Sequence, residues 1–343
     1  MSISDDALAA LDAAPRFPLG HWPTPLEPCH RLREVVGGPL VWLKRDDCSG
    51  LAVGGNKTRK LEYLLGRAIA DGCSGVITFG ALQSNHARQT AAACARAGLT
   101  CDLILTRAVD RADEHYLHSG NLLLDHLLGA TVHVVDDPDA AFVLFAELLE
   151  SAAADGRPLY GIGPGGSDEV GTLGYVRAAL ELAGQARDRG LEVRELTVAA
   201  STAGTAAGLA IGTQLADWAV RVEAACVYHS ATETAAELDG LLRATASALG
   251  APQLALARYG VDDAPLGPGY GIPTPAGRLA IELLARTEGV LLDPVYTAKA
   301  FGYLLSRIAS GALGDGQDVV FVHTGGSPGL FAYASEWVDA TSD

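Results

Sequence analysis

The sequence has 343 residues, with 41 Asp and Glu against 25 Lys and Arg, a formal charge of −16. That balance excludes the basic surface expected of a protein that holds nucleic acid or an anionic membrane. At 49% hydrophobic and 19% charged residues, the chain has the composition of a globular protein with a large core, and at about 150 residues per domain its length corresponds to two domains.

The start, Met1-Ser2-Ile3-Ser4-Asp5-Asp6, is acidic and lacks the basic residues and apolar run of a secretory signal, so a cytoplasmic location is expected. No stretch approaches the ~20 uninterrupted apolar residues of a membrane span. Lys44, Lys57, Lys60 and Lys299 are the only lysines, which limits any lysine chemistry to four candidates. A helix is predicted to begin at Asn56 as N-cap, with Leu61, Leu64, Leu65, Ala68 and Ile69 on one face and Gly72 at its end. Gly54-Gly55 precedes it and puts Lys57 in the first turn. An ordinary lysine there would be a solvated charge. Against that reading, a cation is unfavourable at the positive end of a helix, and the glycines leave room for a ligand at the backbone. An amine so placed has the depressed pKa that imine formation needs.

Further along, Gly75-Val76-Ile77-Thr78-Phe79 reads as a strand, followed by Ser84-Asn85 and a helical run over 86–97. The Ala-rich residues 151–155 suit a helix surface or end. The strand, polar loop, helix order recurs at 196–200, 201–204 and 205–215, and Val319-Val320-Phe321-Val322 runs into His323-Thr324-Gly325-Gly326. Such repeats predict an α/β fold with parallel strands buried under helices, and ligands in these folds sit at the carboxyl ends of the strands.

Ser201-Thr202-Ala203-Gly204-Thr205-Ala206-Ala207-Gly208 opens one of these helices with small residues, hydroxyls and free N–H groups, a combination suited to phosphate. It lacks the Gly-Lys-Ser/Thr of a Walker A loop and the spaced glycines of a dinucleotide fingerprint. Small-residue turns of this kind also arise for packing alone. Together with a helix-start lysine, the loop points to a cofactor with both a phosphate and an aldehyde, and pyridoxal 5′-phosphate has both.

Leu43-Lys44-Arg45-Asp46-Asp47, Gly54-Gly55-Asn56-Lys57-Thr58-Arg59-Lys60-Leu61-Glu62, Gln83-Ser84-Asn85-His86, Gly269-Tyr270-Gly271, Asp293-Pro294-Val295-Tyr296 and His323-Thr324-Gly325-Gly326 resemble, in order, the 1-aminocyclopropane-1-carboxylate (ACC) deaminase and D-cysteine desulfhydrase family. The resemblance spans nearly the whole chain from Thr24 to Gly326. It implies a fold-type-II, tryptophan-synthase-β-like enzyme, with two open, twisted, mostly parallel α/β sheets and pyridoxal phosphate in the cleft between them. Residues 1–60 and 172–343 would form the larger cofactor-binding domain and residues 61–171 a smaller mobile one. A homodimer is expected, with a small amino acid as substrate.

The resemblance also implies roles. Lys57 is similar to the Schiff-base lysine that afterwards moves the α-proton. Lys60 is expected to be a solvated charge on the adjacent helix surface. Asn85 would meet the cofactor's ring oxygen, and Ser84, with Gln83 beside it, the substrate carboxylate; His86 belongs to the same substrate loop. Thr202, Ala203, Gly204 and Thr205 would hold the phosphate. Tyr296 would stack on the pyridine ring, Tyr270 would reach the substrate, and Thr324 would lie near the ring nitrogen. Lys57, Ser84, Tyr270 and Tyr296 form the expected catalytic set.

Thr297, which the resemblance counts among the cofactor-binding residues, occupies the position after the stacking tyrosine where deaminases of this family carry Glu. A hydroxyl does not hold charge on the pyridine nitrogen as a carboxylate does. Opening a cyclopropane needs the stronger electron sink, whereas β-elimination has a leaving group. His86, where deaminases carry Gln, agrees. The expectation is a D-cysteine desulfhydrase-type lyase giving pyruvate, sulfide and ammonia. ACC deaminase, L-cysteate sulfo-lyase, a β-replacement activity and a non-catalytic amino-acid binder are the alternatives. Ala298 and Gly80-Ala81-Leu82, which depart from the family pattern, bear on pocket shape, and residues 107–117 are expected near the mouth of the site.

The six cysteines include no Cys-x-x-Cys pair and read as free, mostly buried thiols. His115, His118, His126 and His133 have no ligand set around them that completes a metal site, so no metal is expected. His323 suits a structural hydrogen bond as well as a catalytic one. Asp46 and Asp47, next to Lys44 and Arg45, suit a salt-bridged turn.

Overall fold

The structure, a computed structural model, describes residues 3–314 and 316–338. Strands β1 (Leu26–Pro28), β2 (Leu40–Arg45), β3 (Gly75–Ala81), β4 (Thr100–Thr106), β5 (Thr131–Val135), β6 (Leu159–Ile162), β7 (Val193–Ala200), β8 (Arg221–Cys226), β9 (Tyr259–Asp262) and β10 (Asp318–His323) form two sheets. One has the order β1-β2-β10-β7-β8-β9, parallel except for β1; the other is β5-β4-β3-β6, parallel throughout. Val319 to Val322 are buried on both faces, as parallel strands under helices require. Each strand–helix unit read from the sequence is present, with ends extended by one to three residues.

The helix Glu169–Asp188 packs on the helix Gly204–Leu215 through small residues. A Cβ at Gly208 would lie 2.4 Å from that of Tyr175, and one at Gly212 2.5 Å from that of Ala179. Gly174 in turn abuts the backbone of Arg59, where a Cβ would lie 2.3 Å from its carbonyl oxygen. These close approaches bring the starts of the helices Lys57–Ala70 and Gly204–Leu215 together.

The Lys57–Ala70 helix differs from its sequence reading. Ile69 is 43% exposed, while Arg59, Lys60 and Glu62 on the polar face are buried. Arg59 makes a bidentate pair with Asp46 (2.9 Å each) and a second with Glu181 (2.9 and 3.0 Å). Lys44 also pairs with Glu181, and Tyr175 donates to Asp46 at 2.5 Å. Asp46 therefore takes its cation from a helix, and only Asp47 pairs within the turn, with Arg45. Burial pushes the Asp46 carboxyl up, but the Arg59 guanidinium holds it below its ordinary range. Removing one partner of such a buried pair costs about 3–5 kcal/mol, and the cluster of Lys44, Asp46, Arg59, Tyr175 and Glu181 fastens β2 to the helices Lys57–Ala70 and Glu169–Asp188.

Asn56 precedes the helix without capping it; its side chain donates instead to Thr205 Oγ1 at 3.0 Å. All six cysteines are free: Cys29, Cys94, Cys101 and Cys226 are buried, Cys73 is half-buried and Cys48 exposed. Among the described residues, no group of three His, Cys, Asp or Glu side chains could hold a metal ion, and no helix is long and apolar enough to cross a membrane.

Candidate active site

The carboxyl ends of β3, β4, β7 and β10 surround a cavity of about 300 Å³. Its wall contains Lys57, Ser84, Asn85, His86, Thr202, Ala203, Gly204, Thr205, Tyr270, Tyr296 and Thr324, all expected from the sequence. Gln83 and Thr297 lie outside it.

One end of the cavity is a cup at the start of the Gly204–Leu215 helix. Ala203 takes a left-handed conformation (φ 51°), which turns the chain from β7 into the helix. Thr202 Oγ1 and Ser167 Oγ are 2.7 Å apart, and Lys60 Nζ donates to Ser167 Oγ at 2.8 Å. A Cβ at Gly204 would lie 2.6 Å from Ser167 Oγ and 2.7 Å from Lys60 Nζ, so only glycine lets the helix start approach these groups. Hydroxyls, a helix N-terminus and an ammonium behind them suit a phosphate.

Lys57 Nζ faces Gly165 O at 3.3 Å, and burial lowers its pKa from 10.5 to about 8. Lys60 is not solvated, as the sequence suggested. It is 1% exposed and donates to the same Gly165 O at 3.2 Å. Burial, and then the charge on Lys57, push it well below its ordinary value.

Opposite the cup, Ser84 caps the helix Asn85–Ala97, accepting from Ala87 N at 3.1 Å. Asn85 Oδ1 accepts from Asn121 Nδ2 at 3.0 Å. Gln83 is fully engaged elsewhere: its amide donates to Tyr116 O (2.6 Å) and Ser119 O (3.0 Å) and accepts from Asn121 N (2.8 Å). Its role is to hold residues 116–121 against the Ser84 loop. Thr106 and, from within the 107–117 segment, Ala108 line the cavity.

His86 is 4% exposed, and its protonation pattern follows from its neighbours. Thr78 Oγ1 donates to Ile162 O at 2.9 Å, so it must accept from His86 Nε2, also at 2.9 Å. Nδ1 is then a bare acceptor, without a hydrogen-bond partner in the chain among the described residues. Burial, Lys57 and Lys60 all push the imidazole well below its ordinary pKa, so it is neutral.

The Tyr270 and Tyr296 hydroxyls are 2.6 Å apart, and Tyr228 meets Tyr270 edge-on at 4.7 Å. Burial raises Tyr270 to about 12 and Tyr296 well above its usual value. Thr297 is fully buried and bound to Asp293: its hydroxyl donates to Oδ1 at 2.7 Å and accepts from the Asp293 N–H at 2.8 Å. The hydroxyl is thus spent on Asp293, away from the cavity wall in which a cofactor contact was expected of it. His323 accepts from Gly325 N (3.2 Å) through Nδ1, so its Nε2 donates to Leu291 O (3.0 Å), a structural arrangement that holds the Thr324 loop.

Sequence reasoning missed Lys60, Ser167, Asn121 and Tyr228. The run Gly163-Pro164-Gly165-Gly166-Ser167, directly after β6, was a readable signal of another strand-end loop.

The family described as "Pyridoxal-phosphate dependent enzyme" matches residues 17–325. The chain is 41% identical over 322 residues to the D-cysteine desulfhydrases of Salmonella newport (strain SL254) and Salmonella choleraesuis (strain SC-B67), covering 93% of this chain and 96% of each of those. Among solved structures, an ACC deaminase homologue superposes with a TM-score of 0.88 at 36% identity, covering 97% of this chain and 98% of that one. A threonine deaminase from T.th., at 20% identity and a TM-score of 0.66 over 94% and 97% of the two chains, shares the fold.

Proposed function

The chain belongs to the pyridoxal-phosphate-dependent enzyme family, and we propose that it is a carbon–sulfur lyase of the D-cysteine desulfhydrase type. The observation that carries this reading is the buried Lys57 amine, pushed down to about 8, in the wall of the same cavity as a cup suited to phosphate. The residues fit pyridoxal 5′-phosphate. Thr202, Ala203, Gly204 and Thr205 would hold its phosphate with Lys60 behind them, and Asn85, Tyr296 and Thr324 would line its ring. When bound, this cofactor supplies an aldehyde that condenses with amines and a conjugated ring that takes up the electron pair left by a departing α-proton.

The chain's own groups account for the rest. Lys57 Nζ, readily unprotonated, takes the α-proton of a cysteine-like substrate as the C–S bond breaks and sulfide leaves. The aminoacrylate then hydrolyses to pyruvate and ammonia. Ser84 and Asn85 at a helix start orient the substrate carboxylate, and the Tyr270–Tyr296 hydroxyl pair, neutral at working pH, closes the side next to it. Lys57 and the neutral His86 are the only basic side chains of the wall, and no carboxylate lines it among the described residues. Nothing there receives a sulfonate, which disfavours cysteate. Nothing holds a proton on a pyridine nitrogen, which favours elimination over ring opening.

The proposal includes the division into a larger cofactor domain, residues 1–60 and 172–343, and a smaller mobile one, residues 61–171. It also includes a homodimer, tested by light scattering, and a cytoplasmic location, which suits the exposed free thiol of Cys48. The test of function is an absorbance band near ~420 nm in the loaded protein, lost in Lys57→Ala, with pyruvate, sulfide and ammonia formed from D-cysteine. Both enantiomers, ACC and cysteate belong in the panel. A loaded protein that yields no pyruvate from either cysteine enantiomer refutes the lyase reading.

A further inference from the structure

Residues 52–55, which lead into the Lys57 turn, are all in the left-handed region: φ is 40° at Ala52, 70° at Val53, 71° at Gly54 and 128° at Gly55. The glycines adopt this without penalty. Ala52 and the β-branched Val53 do not, and strain of this kind persists only where surrounding contacts over-determine it. Val53 is 55% exposed, so packing does not hold it.

Gly54 N donates to Leu51 O at 2.9 Å and Gly55 N to Asp46 O at 3.0 Å, and the side chain that grips the segment on either side of Val53 is Arg88, on the inner face of the helix Asn85–Ala97 and 0% exposed. Arg88 Nη1 donates to Ala52 O and, at 3.0 Å, to Gly54 O, the carbonyls on either side of Val53. Nε and Nη2 make no hydrogen bond within the chain among the described residues, so the one nitrogen that is engaged grips the strained peptides. The same helix starts with the cavity residues Ser84 to His86, so Arg88 connects the substrate loop to the lysine turn.

We propose that Arg88 is a positioning residue that fixes Lys57 by gripping the carbonyls of Ala52 and Gly54 and so holding the left-handed Ala52 and Val53 in place. The proposal rests on Lys57 as the imine-forming lysine. Its test is a double-mutant cycle with Val53→Gly, which removes the Cβ that makes the conformation costly. In Arg88→Met, the ~420 nm band should develop at least tenfold more slowly when pyridoxal phosphate is added to cofactor-free protein, and kcat for pyruvate formation should fall by a similar factor with KM within twofold. Val53→Gly alone should change neither by more than twofold. Combined with Arg88→Met it should recover at least threefold of the loss, because a glycine at 53 needs no clamp while Ala52 still does. Should Arg88→Met not fold, Arg88→Lys, whose amine stops one bond short of the position of Nη1, carries the same cycle with a smaller loss. An Arg88 variant that reconstitutes and turns over like wild type, or a loss that Val53→Gly does not relieve, overturns the proposal. Absence of the band in wild type would instead overturn the assignment of Lys57.

Discussion

Lys57 and Lys60 converge on one acceptor, the carbonyl of Gly165, at 3.3 and 3.2 Å. Two amines three residues apart on a helix ordinarily share a solvated face. Here both are enclosed, one in the wall of the cavity and the other behind the cup, and neither has a carboxylate hydrogen-bonded to it among the described residues. A dianionic phosphate in the cup would supply the missing negative charge.

Lys60→Met should therefore weaken pyridoxal phosphate binding about tenfold, or about 1.4 kcal/mol, while leaving the ~420 nm band of the saturated protein in place. Absorbance titration of cofactor-free protein measures this. Unchanged affinity would mean that the cup holds phosphate by hydroxyls and the helix end alone.

The depressed Lys57 pKa has a consequence for stability. Its folded value of about 8 lies below the ordinary 10.5, so below pH 8 the folded cofactor-free protein carries an unfavourable buried charge. Between about 8 and 10.5 the unfolded chain binds the proton that the folded chain has released, and that penalty disappears. Asp125, raised to about 8 by burial, acts in the opposite sense and only at lower pH. Cys29, raised to about 12, opposes Lys57 above its ordinary 9.0, so the comparison must be made against Lys57→Met. Cofactor-free Lys57→Met should melt higher than cofactor-free wild type at about pH 7, and its advantage should shrink as pH rises to about 9.5. A constant difference would contradict the buried charge.

Thr78 sets the His86 tautomer, because its only proton goes to Ile162 O. Thr78→Val removes the oxygen that accepts from Nε2. Nitrogen-15 shifts should then show His86 moving from a single Nε2–H tautomer to a mixture, with kcat/KM falling about threefold to tenfold. A single unchanged tautomer would show that something other than Thr78 fixes it.

The strand–loop–helix units, and the gathering of most of the expected site residues around one cavity, were legible because local signals determine them. A small-residue turn after an apolar run marks a strand end wherever it occurs. Lys60, Gln83 and Thr297 were not legible, because each is placed by a partner that its own pattern does not announce. Lys60 is enclosed by Gly165 and Ser167, far along the chain, and Gln83 by the 116–121 backbone. Thr297 follows a sequence pattern that places it on the ring, yet Asp293 one turn earlier takes its hydroxyl.

That last pairing makes Thr297→Glu destabilising. A glutamate there would bury a second carboxylate against Asp293, whose own carboxyl is already raised by burial. A loss of about 3 kcal/mol is expected, as for an uncompensated buried charge, with partial relief from adding Asp293→Asn. Denaturant unfolding of the two variants tests this, and a Thr297→Glu protein as stable as wild type would mean that the helix start can turn this side chain toward the cavity.

Lys299 gives the last prediction. It is 1% exposed, and its ammonium donates to Leu266 O at 2.9 Å and Gly269 O at 2.7 Å, while Tyr333 donates to Gly271 O at 2.7 Å. Gly269 and Gly271 adopt φ values of 147° and 72°, so the segment carrying Tyr270 is open to other conformations unless both flanks are held. Lys299→Met leaves the two carbonyls without their donor, at about 1–3 kcal/mol, and frees one flank. Tyr270 should then lose its fixed approach to Tyr296, and kcat should fall about tenfold. The cup does not involve this segment, so cofactor affinity and the ~420 nm band should be retained. Lys299→Arg, which keeps the charge and the donors, should recover part of the rate. If Lys299→Met turns over at the wild-type rate, or loses cofactor in proportion to activity, then Lys299 is not what positions Tyr270.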